Sequence, residues 1–248
     1  MPRPNHIELG DGTRIPILYE DRSVLAIDKP PGWMLVPYSW QKTDRNLQAA
    51  IVSSLSARQF WARSRNLKFL RYVHRLDAET SGVLLFARSP GALDTFSHLF
   101  ESRKMEKIYL AVVHGAPDQT EWTCRLKLAP DPREIGRMRA DERVGKQAET
   151  HFKVRHGARG TSLLEARPIT GRTHQIRVHL SACGYPVVGD PLYGRTGGTT
   201  GNSRRSGRPA ALGLRAVSLC YSDPFTRRRV EIQAPVETFL EQFGFAAI

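Results

Sequence analysis

The alternation of apolar and polar positions along the chain predicts short strands interrupted by a few helices. Strand patterns cover two runs within residues 17–28 and single runs at 83–87, 107–115, 149–154, 162–166, 215–221 and 229–233. Helical spacing of apolar residues predicts helices from Asn46 to about Trp61, after Ser89-Pro90, from the N-cap Thr173 to Gly184, and from Val236. Because the helices are inserted at irregular intervals, we predict an α+β fold with a mixed, mostly antiparallel sheet flanked by helices.

The same pattern predicts the domain organisation. Residues 1–16 are polar and contain prolines, so we predict a flexible N-terminal arm followed by a single domain over residues 17–248. Residues 129–146 are charged and show no sustained period, which indicates an exposed excursion or ribbon. Residues 195–208 are rich in glycine and arginine without an acid or an apolar anchor, which predicts a basic loop that is disordered without a partner.

The net charge of +13 indicates a polyanionic partner, with nucleic acid ahead of an acidic membrane surface. No apolar run approaches the roughly 18 residues that a membrane helix requires. The first residues resemble neither a signal peptide nor a presequence. The three cysteines are far apart, which indicates free thiols in the reducing cytoplasm.

One carboxylate stands out among basic residues. Asp77 is the only acid between Asp44 and Glu79, and the five basic residues between Ser56 and His74 are interleaved with aromatic residues. Arginines can hold phosphates and flat rings can stack on bases. A carboxylate near an arginine stays ionised and suits nucleophilic or base chemistry. The residues alone leave open a turn-forming aspartate in a basic RNA-binding domain.

Several other chemistries are excluded by their missing motifs. The chain has no phosphate loop, no dinucleotide-binding glycine motif and no nucleophile elbow. It also has no acid cluster suited to two magnesium ions, and His174 and His179 have the wrong spacing for a helical metal pair. We therefore expect neither a cofactor nor a metal ion.

Three separated blocks carry a more specific signal. The first is His74-Arg75-Leu76-Asp77 followed by Thr80-Ser81-Gly82-Val83-Leu84-Leu85. The second is Lys107-x-Tyr109-x-Ala111-x-Val113-x-Gly115. The third runs from Thr170 to Leu180 and continues with Gly184, Pro186, Gly189-Asp190 and Tyr193-Gly194. With the upstream turn Asp28-Lys29-Pro30-Pro31-Gly32, their order and spacing over residues 17–240 resemble the RluA family of RNA pseudouridine synthases.

The resemblance implies a fold with a central active-site cleft and the cofactor-free isomerisation of uridine to pseudouridine in structured RNA. It implies that Asp77 is the catalytic aspartate, that Tyr109 stacks on the flipped base, and that Arg177 pairs with Asp77. Arg75 would fill the gap that the flipped base leaves, which offsets the few kcal/mol that extrusion costs. Whether Asp77 attacks the ribose, attacks the uracil or abstracts a ribose proton stays open.

The remaining expectations concern RNA and partners. We expect RNA contacts from Arg75, His74, Arg172, His174, Arg71 and Lys29, and an enzyme that acts as a monomer on ribosomal or transfer RNA. The sequence has no upstream room for the small S4 RNA-binding domain of many relatives, so the arginines of residues 58–71 and 195–208 are expected to hold RNA. The family's Leu-His-Ala and His-Pro are here Leu214-Arg215-Ala216 and Asp223-Pro224, which bears on substrate choice or packing.

Two alternatives remain at this point. A non-catalytic RNA-binding or ribosome-assembly factor could use the same fold, but such a factor would be expected to have lost Asp77, Tyr109 or Arg177. A hydrolase or glycosidase with one carboxylate would lack the second acid that such chemistry requires.

Overall fold

The structure, a computed structural model, describes residues 3–35, 45–158, 160–194 and 211–246. In chain order the elements are β1 His6–Glu8, β2 Arg14–Glu20, β3 Val24–Lys29, α1 Leu47–Ser56, α2 Phe60–Arg63, β4 Arg71–Tyr72, β5 Ser81–Ala87, α3 Pro90–Glu101, β6 Glu106–His114, β7 Glu121–Cys124, β8 Leu128–Pro130, β9 Met138–Ala140, β10 Thr150–Ala158, β11 Thr161–Pro168, α4 Gln175–Ala182, β12 Leu214–Ser222, β13 Arg229–Gln233 and α5 Glu237–Gln242. This strand-rich order confirms the predicted α+β class.

The chain forms two compact units, and the single domain over residues 17–248 stays a prediction. The first unit is Met1–Glu106 with Ala216–Ala234, and the second is Lys107–Arg215 with Pro235–Ile248. Two of the three boundaries fall inside strands, β6 and β12, and the third lies between β13 and α5. The sequence therefore carries no linker signal at the two boundaries that fall inside strands. The predicted basic loop 195–208 lies outside the described residues.

The first unit is built on strands in the order β1-β2-β3-β5-β12, with β4 added to β5 and β13 added to β12. Strands β3 and β5 pair antiparallel, with Ile27 opposite Leu84. Helix α3 covers this sheet and inserts the fully buried Phe96 into its core. The helix starts as the sequence predicted, because the Ser89 side chain accepts a hydrogen bond from Ala92 N at 3.2 Å.

The predicted N-terminal arm is wrong. Strands β1 and β2 form an antiparallel hairpin, and Ile7, Leu9 and Ile15 are buried. The turn is stabilised by Asp11, whose Oδ1 accepts from Thr13 N at 2.9 Å. The short strands alternate apolar and polar residues, so their mean composition is polar although one face of the hairpin is part of the core.

Gly82 in β5 shows how tightly the first unit is packed. Its φ is +108°, and a Cβ at this position would lie 2.0 Å from the carbonyl oxygen of Ala216. Only a residue without a side chain allows the backbone of β12 to approach β5 this closely.

The second unit is built on an antiparallel sheet in the order β6-β11-β10-β7. Helix α4 packs on it through Ile176 and Leu180. The charged stretch of residues 129–146 contributes to the two-stranded ribbon β8-β9. A ribbon was one of the two structures predicted for this stretch. The N-cap of α4 is His174 in a left-handed conformation (φ 55°) and not the predicted Thr173, so the loop before the helix extends one residue further.

Candidate active site

Asp77 lies in the loop that connects β4 to β5 in the first unit. The loop closes as a turn, since Thr80 N donates to Asp77 O at 3.2 Å. Asp77 and Ala78 are half-buried, Glu79 is exposed and Thr80 is buried. The chain therefore passes from the surface into the core within four residues, and the carboxylate of Asp77 lies near that transition.

Lys29 is hydrogen-bonded to the loop that contains Asp77. Its side chain is fully buried, and Nζ donates to the carbonyl oxygens of Pro30 at 3.0 Å, Ala78 at 2.8 Å and Thr80 at 2.9 Å. An ammonium group has three N–H donors, and these three carbonyls satisfy all of them. Gly32 N also donates to Ala78 O at 2.8 Å. Lys29 therefore ties the Lys29-to-Gly32 turn to the loop of Asp77.

The expectation that Lys29 contacts RNA is corrected by this placement, because a buried ammonium with three carbonyl partners has no donor left for a phosphate. Burial lowers the pKa of Lys29 to about 8, while the charges of Glu79 and Asp77 oppose that shift. At neutral pH the ammonium form predominates. Its positive charge interacts electrostatically with the carboxylates of Glu79 and Asp77.

The basic residues around Asp77 differ in their surroundings. His74 stacks on Phe100 with ring centroids 4.5 Å apart, and its Nε2 accepts from Leu85 N at 3.2 Å. In the neutral ring this acceptor role puts the proton on Nδ1. The ring of His74 therefore serves to pack β4 and α3, whereas Arg71 and Arg75 have exposed side chains on the same segment.

Arg177 lies in the second unit, on α4, and is held by Asp190. Its Nε donates to Oδ2 at 2.7 Å and its Nη2 donates to Oδ1 at 2.8 Å, and both side chains are buried. Burial acts to raise the pKa of Asp190, but the hydrogen bonds from Arg177 and from the backbone N–H groups of Leu192 and Tyr193 outweigh it and hold the pKa below its usual value. The predicted pairing of Arg177 with Asp77 stays a prediction.

Tyr193 links Arg177 to His174. The guanidinium of Arg177 lies 5.1 Å from the ring centroid of Tyr193. The hydroxyl accepts from Met138 N at 2.8 Å and lies 2.8 Å from His174 Nδ1. His174 is 6% exposed, and its expected contact with RNA stays a prediction.

The loop before α4 is ordered by Gln175. Its Oε1 accepts from Thr170 Oγ1 at 2.6 Å and from Arg172 N at 3.0 Å. Its Nε2 donates to Glu149 O and to Thr150 Oγ1, each at 2.9 Å. Arg172 is half-buried and donates from Nε to Gln147 O at 3.0 Å, so its predicted RNA contact would have to be made by the remaining N–H donors.

Tyr109 lies on β6 of the second unit, opposite Ala166 of β11, and is half-buried at the rim of the core. Two residues before it, Lys107 donates from Nζ to Thr170 O at 3.4 Å. Burial lowers the pKa of Lys107 to about 8. Lys107, which starts the sequence block that contains Tyr109, is thus a second lysine with a lowered pKa.

The sequence analysis did not identify Asp190 and Tyr193, which contact the predicted site residues Arg177 and His174. Asp190 and Tyr193 belong to the third block, in the pairs Gly189-Asp190 and Tyr193-Gly194, so the block itself contained the signal.

Among the described residues no group of three or more histidines, cysteines or acids could hold a metal ion. In the same part of the chain no helix has the length and apolar content needed to cross a membrane.

Comparisons with known proteins all point to one family. Residues 23–182 match the family of RNA pseudouridylate synthases. The ribosomal large subunit pseudouridine synthase C of Escherichia coli is 34% identical over 239 residues, which cover 91% of this chain and 68% of that protein. Most of the described chain therefore has counterparts in that enzyme.

Solved structures agree with this match. Human RNA pseudouridylate synthase domain containing 1 has a TM-score of 0.68 and 29% identity, covering 89% of this chain and 83% of its own. Human RNA pseudouridylate synthase domain containing 4 has a TM-score of 0.71 and 23% identity, covering 91% and 90%, and supports the fold alone.

Proposed function

The chain belongs to the RNA pseudouridylate synthase family, which isomerises uridine in RNA, and we propose that Asp77 is the residue on which that reaction depends here. The observation that carries the proposal is the anchoring of the Asp77 loop. Lys29 donates hydrogen bonds to the carbonyl oxygens of Pro30, Ala78 and Thr80 and interacts electrostatically with the Asp77 carboxylate. Such a carboxylate suits attack on the target nucleotide or abstraction of a ribose proton.

The chemistry sets the requirements for the other residues. The bond between C1′ and N1 breaks, a bond between C1′ and C5 forms, the proton on C5 is lost and N1 gains a proton. No cofactor is needed to balance these steps. We propose that Tyr109 stacks on the uracil and assists the proton transfer, that Arg177 stabilises the charge of Asp77, and that Arg75 fills the gap left by the flipped base.

Asp190 and Tyr193 would then act as positioning residues. A bidentate carboxylate partner fixes the plane of a guanidinium as well as its position. The Tyr193 ring covers one face of the Arg177 guanidinium. Arg177 therefore presents a charge of fixed direction, as electrostatic stabilisation in an enzyme requires.

We propose ribosomal large-subunit RNA as the substrate, in the cytoplasm and with the enzyme as a monomer. The support is the relative whose name gives that substrate. Mapping pseudouridines in ribosomal and transfer RNA from cells with and without the gene tests this proposal. Loss of a site in transfer RNA alone would refute it.

The catalytic proposal is tested with Asp77→Asn and a matched control, Glu79→Gln, which removes a carboxylate from the same turn at an exposed position. RNA labelled with tritium at C5 of uridine must release the label to water when C5 becomes bonded to C1′. We expect no release by Asp77→Asn, near-normal release by Glu79→Gln, and unchanged RNA binding by both. Undiminished release by Asp77→Asn would refute the role of Asp77.

The same experiment separates the alternatives. A non-catalytic RNA-binding factor would release no tritium even as the unaltered chain. A glycosidase would leave free uracil and an abasic site, which chromatography of the products detects. The presence of Asp77, Tyr109 and Arg177 in one family member favours the isomerase over both alternatives.

A further inference from the structure

The first unit contains a basic groove. It is a cleft of about 610 Å³ between α1, α2 and the segment that leads into β4, and none of the described residues that line it is an aspartate or a glutamate. Its polar lining includes Arg58, Arg63, Asn66, Lys68 and Arg71. Concave surfaces lined by one sign of charge focus the electrostatic potential, so this groove favours an anionic occupant.

The four cations of the groove are not neutralised within the described part of the chain. Arg58, Arg63, Lys68 and Arg71 are all exposed, and none forms an ion pair with a described acid. The fifth cation of the segment, Arg65, behaves differently. Its side chain is 3% exposed, and its Nε donates to Glu20 Oε2 at 2.6 Å. Among these five described residues, Arg65 is therefore the one that is buried and forms an ion pair.

Arg65 also keeps the groove in shape. Its Nη1 donates to Trp61 O at 3.1 Å and its Nη2 donates to Pro4 O at 2.7 Å, which fixes α2 against the N-terminal residues. Arg58 and Asn66, which line the groove, both have φ of 51°. A left-handed conformation at an arginine is unfavourable and persists only where the surrounding structure holds it. The groove is therefore preformed.

Aromatic rings accompany the charges. Phe60 is 41% exposed and carries the guanidinium of Arg63 at 5.8 Å from its ring centroid. Phe69 lines the groove and is half-buried. Cations together with accessible rings are the combination that binds single-stranded nucleic acid, where phosphates meet charges and bases stack on rings.

We propose that the basic groove binds the phosphate backbone of the substrate RNA at nucleotides outside the target uridine. The choice of RNA as the occupant rests on the proposed function. The segment from Arg71 to Asp77 spans six residues, so these two residues lie at most roughly 20 Å apart. A strand that presents a uridine to Asp77 can therefore reach the groove without a second RNA-binding domain.

The test uses the full chain with Arg58, Arg63, Lys68 and Arg71 all changed to glutamine. The matched control changes four other exposed cations of the first unit to glutamine, Arg22, Arg103, Lys104 and Arg228, and so has the same net charge. The probe is a fluorescein-labelled 20-nucleotide oligouridylate, and its Kd is measured from 50 to 300 mM KCl.

We expect the groove variant to bind about 10- to 100-fold more weakly at 0.1 M salt. The slope of log Kd against log salt should fall by about three, since each lost contact to single-stranded RNA removes roughly 0.7. The control variant should shift far less. A third variant that changes the three arginines to lysine should retain most of the binding, and it keeps the test valid if the glutamine variant does not fold.

Equal binding by the groove and control variants would overturn the groove proposal. Tritium release separates this outcome from failure of the proposed function, because the groove variant should still react when RNA is saturating. If the unaltered chain binds with the expected slope but releases no tritium from any RNA, the proposed function fails and the groove stands. If the lysine variant binds as weakly as the glutamine variant, a simple charge contact is refuted.

Discussion

Lys29 offers the sharpest test of how the fold positions the candidate catalytic loop. Changing Lys29 to methionine keeps the length of the side chain and removes the three donors to Pro30, Ala78 and Thr80. Ala78 O keeps its hydrogen bond from Gly32 N, so the carbonyls of Pro30 and Thr80 lose a partner, at roughly 1–3 kcal/mol each. Methionine also avoids the cost of burying a charge, which the lowered pKa puts at about 3 kcal/mol. We expect a net loss of about 1 kcal/mol in the free energy of unfolding at neutral pH.

The pH dependence gives this prediction a second readout. The pKa of Lys29 is about 8 in the folded chain and close to the ordinary lysine value of 10.5 when unfolded. Between these values the unfolded chain binds more protons, so Lys29 makes the free energy of unfolding rise with pH from about 8 to 10.5. The methionine variant should lack this rise. The difference in stability between the two proteins should therefore grow with pH.

Urea unfolding at several pH values measures the stability, and tritium release at saturating RNA measures kcat. We expect kcat to fall about 10- to 100-fold, because a displacement of the loop by about 1 Å misplaces Asp77. Lys107→Met is the matched control for stability, since Lys107 also has a pKa of about 8 but is half-buried and bonds one carbonyl at 3.4 Å. It should destabilise the chain much less.

Two outcomes would refute the reasoning about Lys29. If Lys29→Met has the stability of the unaltered chain within about 0.5 kcal/mol at every pH, its three hydrogen bonds do not hold the loop. If stability falls but kcat is retained, the anchoring contributes to folding without affecting the position of Asp77. Equal losses for Lys29→Met and Lys107→Met would indicate a general effect of burying a lysine.

Two further predictions test the packing around the candidate site. Asp190→Asn should lower kcat at least tenfold with little change in RNA affinity, because it removes one charge-assisted bond of the buried pair with Arg177. Asp190→Glu should restore part of the activity. Normal tritium release by the asparagine variant would refute the positioning role of Asp190. Gly82→Ala should destabilise the chain by more than about 3 kcal/mol, since the Cβ of the alanine would lie 2.0 Å from the carbonyl oxygen of Ala216. An unfolding midpoint in urea equal to that of the unaltered chain would contradict this close approach.

Local patterns in the sequence were sufficient for most of the elements. Asn46 and Ser89 cap their helices as predicted, with side-chain oxygens that accept from Ala49 N and Ala92 N. These contacts involve residues three positions apart, so they depend on local sequence alone. The start of α4 was wrong by one residue: the N-cap is His174 in a left-handed conformation, and its Nδ1 lies 2.8 Å from the hydroxyl of Tyr193, nineteen positions away.

The blocks that carry Asp77, Tyr109 and Arg177 were visible in the sequence, and the family to which they point is confirmed. The roles of the basic residues near these blocks were not visible. A lysine, arginine or histidine looks the same in the sequence whether its side chain is exposed or buried in the core. Lys29 and Arg65 are examples, since each is buried by partners from distant parts of the chain.

The sequence by itself determined the fold class, the family and the position of the lone carboxylate. The tertiary structure decided which cations stabilise the protein and which remain exposed. The physical reason is that burial is a property of the folded chain: a charge can leave water only where several donors or acceptors converge on it, and those groups come from separate elements. Asp77 is thus defined by its local sequence, whereas its support by Lys29 depends on contacts about fifty residues apart.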